Sequence, residues 1–241
     1  MSSATNKADE FHHHITESLD ATVFFAQAEE FLEEYNRDVI EDVVPRLTEM
    51  EGRWHPLGFA VFPLTVREDG SSLRLHVWPK NMRRGHSLRQ PAIHNHAWHL
   101  ISRVLSRDPY QDTRHSIEVV SDVPSTEEKR ISRGLQRVFR AHYPPEPQGL
   151  RTDGTCARVT PIRDVVVPTG RYNSIVAGEY HLDTVPIGHT VATLCLDSPK
   201  LVKDGPHVIV DGPADPIEVA RPSIPSEDIR YIQDALLKSI Y

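Results

Sequence analysis

Apolar positions recur along this chain with two different periods, and the change of period divides it. From Asp20 onward Phe24, Ala28, Phe31, Leu32, Tyr35, Val39 and Val43 fall at three- and four-residue steps, with Glu and Asp between them. That spacing predicts an amphipathic packing helix, with Asp20 as its N-cap and Pro45 at its end. From Trp54 the period shortens. Gly58–Arg67 and Ser72–Trp78 are rich in β-branched and aromatic residues, and Glu68–Ser71 joins them as a hairpin turn. Pro79–Pro91 reads as an arginine-dense loop. Ala92–Leu105 reads as one strand, Arg107–Pro109 as a turn, and Ser116–Val120 as the returning strand. Ser121–Glu128 is polar. Leu135–His142 alternates as a strand does, with a short helix as the other reading. Thr155–Pro161, Asp164–Val167, Tyr172–Val176, Tyr180–Val185, His189–Leu196 and His207–Val210 follow as short strands, separated by glycine and proline turns. Pro213–Pro225 is a proline-rich tether. Ser226 then caps a last helix, Glu227–Ser239, with Ile229, Ile232, Leu236 and Leu237 on one face.

Many short strands with regular turns indicate a sandwich or barrel. The expected organisation is a flexible N-terminus over 1–19, a β-barrel domain over 20–212 that includes the packing helix at 20–48, and a tether with a terminal helix over 213–241. The pattern holds no internal repeat, no heptad and no long low-complexity stretch.

Composition changes this picture little. The 241 residues suit one larger β domain or two small ones, and 39% hydrophobic with 25% charged residues is ordinary for a soluble globular chain. No apolar run reaches the length of a membrane span, and the N-terminus lacks a signal-peptide pattern, so a cytoplasmic protein with no membrane partner is the expectation. Cys156 and Cys195 lie in apolar, strand-like segments and are expected as buried free thiols. His12–His14 stands in an acidic flank and is set aside as a surface tract. The net charge of −7 argues against nucleic-acid binding. Its distribution says more. From Ser71 to Arg107 there is no Asp or Glu, while Arg74, Lys80, Arg83, Arg84, Arg89, Arg103 and Arg107 all fall there. Such an island is either a solvated basic surface or a mouth that draws in an anionic small molecule.

The candidate chemistry sits inside that island. Ile93-His94-Asn95-His96-Ala97-Trp98-His99 places three imidazoles within six residues, two of them as His-x-His. On a strand, residues two apart share a face, so His94 and His96 aim at one point. Neutral imidazole is the commonest transition-metal ligand, and a pair needs one or two further ligands to close a site. A second stretch, Gly170–His181, has a Val-Ala-Gly turn followed by His181 at the entry to a strand. No nucleotide-binding or serine-hydrolase motif occurs. The tripeptide His-Asn-His lacks the ββα context of an HNH nuclease.

These two stretches resemble the cupin superfamily over roughly residues 55–200. His94 and His96 match the His-x-His of the first cupin motif; Gly170, Gly178 and His181 match the second. The chain departs from the pattern at Val176, where proline is usual, and at Val185, where asparagine is frequent. Leu100 and Ile101 occupy the two positions open to the first motif's glutamate. The resemblance implies an all-β fold, a double-stranded β-helix (jelly-roll) barrel, here with an N-terminal and a C-terminal helix. It implies a metal site of His94, His96 and His181 without a carboxylate. That set is similar to the three-histidine variant of thiol dioxygenases and other non-haem iron cupins.

The function expected from this is a mononuclear Fe(II) oxygenase acting with dioxygen on a small, anionic metabolite. The alternatives are a Zn, Ni or Mn cupin isomerase, lyase or hydrolase, and a non-catalytic binding or sensor domain. His99, Asp183 and His189 are candidates for a further ligand or for supporting the ligands from behind. Asp183 shares strand parity with His181, whereas His99 has the parity opposite to His94 unless a bulge follows His96. Arg74, His76, Arg83, Arg84, Trp98 and Arg103 are the substrate-binding candidates. For His76, Arg74 and Trp78 the strand face is either the barrel interior or solvent. Trp98 is a site wall or plain core. A homodimer packed through the terminal helix is one assembly the resemblance allows.

Overall fold

The computed structural model describes residues 20–82, 92–121, 126–142, 149–203, 205–210 and 217–241. The expected loose segment 1–19 and the candidates Arg83 and Arg84 lie outside them.

The first helix, α1 (Ala21–Asp38), starts where Asp20 accepts from the Thr22 and Val23 amides at 2.8 and 3.1 Å. The chain then widens into a π-turn over Val39–Val43 and tightens into a 3-10 turn over Val44–Glu49. Pro45 at the start of that last turn lacks the N–H that an α-helix would use. Strands β1 (Arg53–Trp54), β2 (Ala60–Val66), β3 (Ser72–Trp78), β4 (Ile93–His94), β5 (Leu100–Val104) and β6 (Tyr110–Val120) follow. After them come α2 (Glu127–Ser132), β7 (Gln136–His142), β8 (Gly149–Arg151), β9 (Cys156–Val167), β10 (Tyr172–Ile175) and β11 (Tyr180–Thr184). Last are β12 (Val191–Asp197), β13 (His207–Val210), β14 (Ile217–Glu218) and α3 (Ser226–Ile240).

Among the described residues the strands form two antiparallel sheets, in the manner of a β-sandwich or jelly roll. One has the order β1-β2-β3-β12-β5-β10, the other β13-β4-β11-β6-β9-β7-β8-β14. A further pairing of β13 with β7 makes the second sheet curl until β4, β11, β6, β9, β7 and β13 form a closed ring of neighbours.

The period of two in the sequence sorts the first sheet into two faces. Leu73, Leu75 and Val77 of β3, with Ala192, Leu194 and Leu196 of β12, pack under Phe24, Leu32, Ile232 and Leu236 from α1 and α3. The alternate residues Arg74, His76 and Trp78, with Thr193 and Cys195, face an interior cavity between the sheets. The interior is therefore the answer to the open question about that face of β3. No helix among the described residues is long and apolar enough to cross a membrane.

Several expectations are corrected. The stretch Ala92–Leu105 is not one strand: β4 ends at His94, the chain crosses between sheets, and β5 begins at Leu100. Asn95 holds the crossing open, its Oδ1 accepting from the His207 amide at 2.6 Å and its own amide donating to the His207 carbonyl at 3.1 Å. Strand β6 starts at Tyr110, six residues before the expected Ser116. The two expected strands around Pro161 and Ile162 are one, β9, with a bulge opposite Arg114 and His115 that accommodates the proline. A short helix, α2, follows Thr126, where only a polar link was expected. The tether is partly pinned: Ser223 bridges to Arg53, and the Trp54 amide donates to the Pro222 carbonyl at 2.9 Å. Ser226 is the first helical residue of α3, and Pro225 holds the cap position.

Candidate metal centre

His94, His96 and His181 come together, each offering a ring nitrogen within 4.8 Å of the others. Two of them are brought there by strand register. His181 of β11 lies directly opposite His94 of β4, so their side chains leave the same face of the sheet. His96 arrives from the crossing loop rather than from the strand. Its carbonyl accepts from the Gly178 amide at 2.8 Å. Gly178 adopts φ 86°, a left-handed conformation that turns the chain into β11 and that side chains disfavour.

The hydrogen bonds behind the rings decide what they present. His94 Nδ1 stands 3.0 Å from the Ala92 carbonyl oxygen, which can only accept, so His94 donates there and turns an Nε2 lone pair inward. His181 Nδ1 donates to Asp112 Oδ2 at 2.8 Å. The Asp112 carboxylate is fully buried and is paired with Arg114, whose guanidinium also bonds the Asn173 side-chain oxygen at 2.7 Å and the Ser174 carbonyl at 3.0 Å. Asn173 donates to Asp112 as well, at 3.1 Å. A buried Arg–Asp–His chain thus fixes the ring of His181.

Charge follows from this arrangement. Burial would raise Asp112, but its bond and charge contact with His181, together with Arg114, hold it well below the usual carboxylate range. Burial pulls His181 down, yet the Asp183 and Asp112 carboxylates outweigh it and lift His181 to about 9. Burial, with His181 second, lowers His94 to about 3. His96 is also held low, by burial and then by its two histidine neighbours. In the metal-free protein one of the three rings therefore carries a proton that an ion would displace.

The donor set fits a transition-metal ion. Metal-bound histidines characteristically give their other N–H to a carboxylate or a backbone carbonyl, as His181 and His94 do. His96 Nε2 and His181 Nε2 are 3.0 Å apart. That is the distance of an N–H···N hydrogen bond from protonated His181 to His96, the proton of which an ion would replace.

The other sequence candidates divide. Asp183 lies on the Nδ1 side of His181, with Oδ1 3.5 Å from that nitrogen, and groups with Asp112 rather than with His94 and His96. His99 faces away, its ring 5.8 and 5.6 Å from Phe24 and Phe25 of α1 and its Nδ1 accepting from the Ala177 amide at 3.0 Å. The crossing loop undoes strand parity, but His99 still ends on the helix side. His189 sits in the turn between β11 and β12, its amide bonded to Pro186 at 3.2 Å, away from the triad. Arg103 lies under α1, paired with Glu33 and stacked 5.1 Å over the Tyr172 ring. Of the arginine candidates among the described residues, Arg74 alone reaches the cavity, and it is paired with Asp197. His76 and Trp98 also line it, Trp98 with its ring 5.5 Å from that of His96. Arg74 and Arg103 are thus sent to different places by the fold.

The cavity beside the triad has a volume of about 470 Å³. That is within the usual size for a small-molecule site. Phe59, Trp78, Trp98 and Leu100 supply apolar wall; His55, Arg221 and Tyr110 supply polar groups. Asp112, Arg114, Asn173, His55 and Arg221 had no signal in the sequence pattern. Asn173 lies within the second histidine stretch and the other four outside both, and the place of each is set by tertiary packing.

No protein-family model and no curated protein matches the chain. Among solved structures, it is similar to hydroxypropylphosphonic acid epoxidase from S. wedmorenis in complex with fosfomycin, at 10% identity and TM-score 0.32, covering 58% of this chain and 50% of that one. It is also similar to a chain from the crystal structures of the DMSP lyases RdDddP and RnDddQII, at 12% identity and TM-score 0.31, covering 61% of this chain and 51% of that one. The matched part spans about half the length of these neighbours, and at such scores neither likeness decides fold or chemistry.

Proposed function

We propose that this protein is a cupin-type metalloenzyme in which His94, His96 and His181 hold one first-row metal ion, iron(II) foremost, and which oxidises a small organic substrate with dioxygen. The observation that carries this reading is the pair of Nδ1 hydrogen bonds, His94 to Ala92 and His181 to Asp112, which leaves Nε2 of each ring for an ion. A bound ion would supply Lewis acidity and, as iron(II), reducing power toward dioxygen. The protein's own part is to position and enclose. Asp112 and Arg114 fix the His181 ring. Phe59, Trp78 and Trp98 line the substrate side with aromatic surface. Three neutral ligands leave coordination positions free for reactants.

The test is nitric oxide added anaerobically to the iron(II)-loaded protein. An S = 3/2 iron–nitrosyl signal, lost in His94→Ala, supports an open three-histidine iron site. Failure to take up iron(II), with zinc or nickel bound instead, removes the oxygenase.

One observation favours a second reading, a lyase or isomerase with a Lewis-acid metal. Asp183 lines the cavity, its Oδ1 makes no hydrogen bond, and burial pushes its carboxyl up despite the opposing charge of His181. Such a group can take or return a substrate proton. Dioxygen consumption separates the two readings, because only the oxygenase couples it to substrate loss.

A further inference from the structure

Facing the triad across the cavity is a second polar wall that metal binding does not use. Arg74 and His76 project from β3, and Cys195 projects from β12 opposite Arg74. His76 is 9% exposed, and its Nδ1 lies 3.3 Å from the Cys195 sulfur. That sulfur is in turn 3.2 Å from Thr193 Oγ1. Burial, then Arg74 and Arg221, keep the His76 ring neutral, and burial pushes the Cys195 thiol up to about 12. A neutral imidazole therefore meets a neutral thiol. Imidazole nitrogen is a strong acceptor and sulfur a weak one, so the S–H donates to Nδ1 and the ring's own hydrogen sits on Nε2. That Nε2 has no hydrogen-bond partner, and neither has Nε of Arg74, which only donates.

Arg221 reaches the same wall from the C-terminal segment. The pairing of Pro222 and Ser223 with Trp54 and Arg53 lays that segment along β1. There the Arg221 guanidinium lies 3.4 Å from His55 Nε2, and His55, whose Nδ1 accepts from the Leu57 amide at 3.3 Å, stacks 4.2 Å from Phe59. His76, Arg74 and Arg221 thus supply this wall with donors, two of them guanidinium.

We propose that this wall is an oxyanion subsite, in which His76 Nε2–H, Arg74 Nε–H and the Arg221 guanidinium bind the acidic group of a small ligand whose carbon skeleton lies against Phe59 and Trp78. Charged donors converging on one site select a planar or tetrahedral oxyanion over a neutral amide or a cation. The proposed function enters only in taking this ligand to be the substrate; oxyanion binding itself needs no metal.

The experiment is calorimetric titration of the full chain, with chelator and again with metal, using benzoate, phenylphosphonate and the neutral isostere benzamide. One of the two anions binds one per chain, at least tenfold tighter than benzamide. Arg221→Gln and His76→Phe each weaken that anion tenfold or more and leave benzamide unchanged. His94→Ala, which removes a proposed metal ligand, keeps the anion affinity, so this subsite and the metal centre stand or fall separately. Circular dichroism and a thermal melt confirm the fold of each variant; Arg221, pinned in the C-terminal segment, is the milder change if His76→Phe is unstable. Equal binding of benzoate, phenylphosphonate and benzamide, absence of binding by both anions, or an unchanged anion affinity in folded Arg221→Gln overturns the proposal.

Discussion

His181 and Asp112 stand on adjacent strands of one sheet and share a hydrogen bond of 2.8 Å, with Asp112 fully buried behind the ring. The bond does two things at once. It keeps the His181 Nε2 facing His94 and His96, and it gives the Arg114 charge a partner inside the protein. The Asp112→Asn variant keeps an oxygen but loses the charge. Its metal affinity is expected to fall about 10- to 100-fold, and its metal-free form to lose about 3 kcal/mol of stability, because protonated His181 and Arg114 lose their shared buried counter-charge and Arg114 keeps only the partly exposed Glu179. Competitive metal titration and denaturant unfolding check the two effects. An affinity equal to wild type would mean that Asp112 does not support a ligand.

Metal uptake should release one proton. His181 holds a proton up to about pH 9 in the metal-free protein, while His94, at about 3, and His96 are already neutral at pH 7. Apparent affinity should therefore rise about tenfold per pH unit from pH 7 and level off above pH 9. The sign for metal-free stability is the reverse. A histidine raised by its carboxylate partners contributes its full stability below its unfolded value of about 6.5, and that contribution is lost as pH rises through about 9. Calorimetry in buffers of different ionisation heat counts the protons. A release of none, or of three, contradicts this charge assignment.

His99 should be dispensable for the metal. The variant His99→Ala is expected to keep wild-type metal content and to lose about 1–3 kcal/mol of stability, since the Ala177 amide loses its acceptor. Phe24 and Phe25 also lose one ring contact each. Loss of metal without loss of stability would place His99 at the site instead.

Cys195 should be inert in the folded state. Its thiol is buried, and burial pushes it up to about 12, so little thiolate exists at pH 8. Iodoacetamide treatment followed by mass spectrometry should find Cys195 unmodified until denaturant is added. Rapid alkylation of the native protein would show an open path to the sulfur and a far more acidic thiol.

The sequence exposes the triad because its members carry local signals, a His-x-His and a Gly-turn-His. It exposes the helices and most strands because periodicity is itself local. It hides Asp112 and Arg114 for a physical reason. They neutralise each other inside the molecule, so the stretch Gln111–Arg114 lacks the apolar alternation that marks a strand, and β6 was expected to begin only at Ser116. Arg221 is hidden similarly, in a proline-rich run that reads as a tether until Ser223 is found bridged to Arg53. Within the basic island, nearness in sequence does not give nearness in space. Charges close in sequence are sent to opposite faces of a sheet, Arg74 inward to Asp197 and Arg103 outward to Glu33.

The most direct measurement is the metal content of tag-free chain purified without oxygen, beside His181→Ala prepared in the same way. One first-row metal ion per chain is expected in the native protein, predominantly iron, and well under a tenth of that in the variant. Equal metal in both, or none in the native protein after incubation with iron(II), zinc or nickel, would contradict a centre built on His94, His96 and His181.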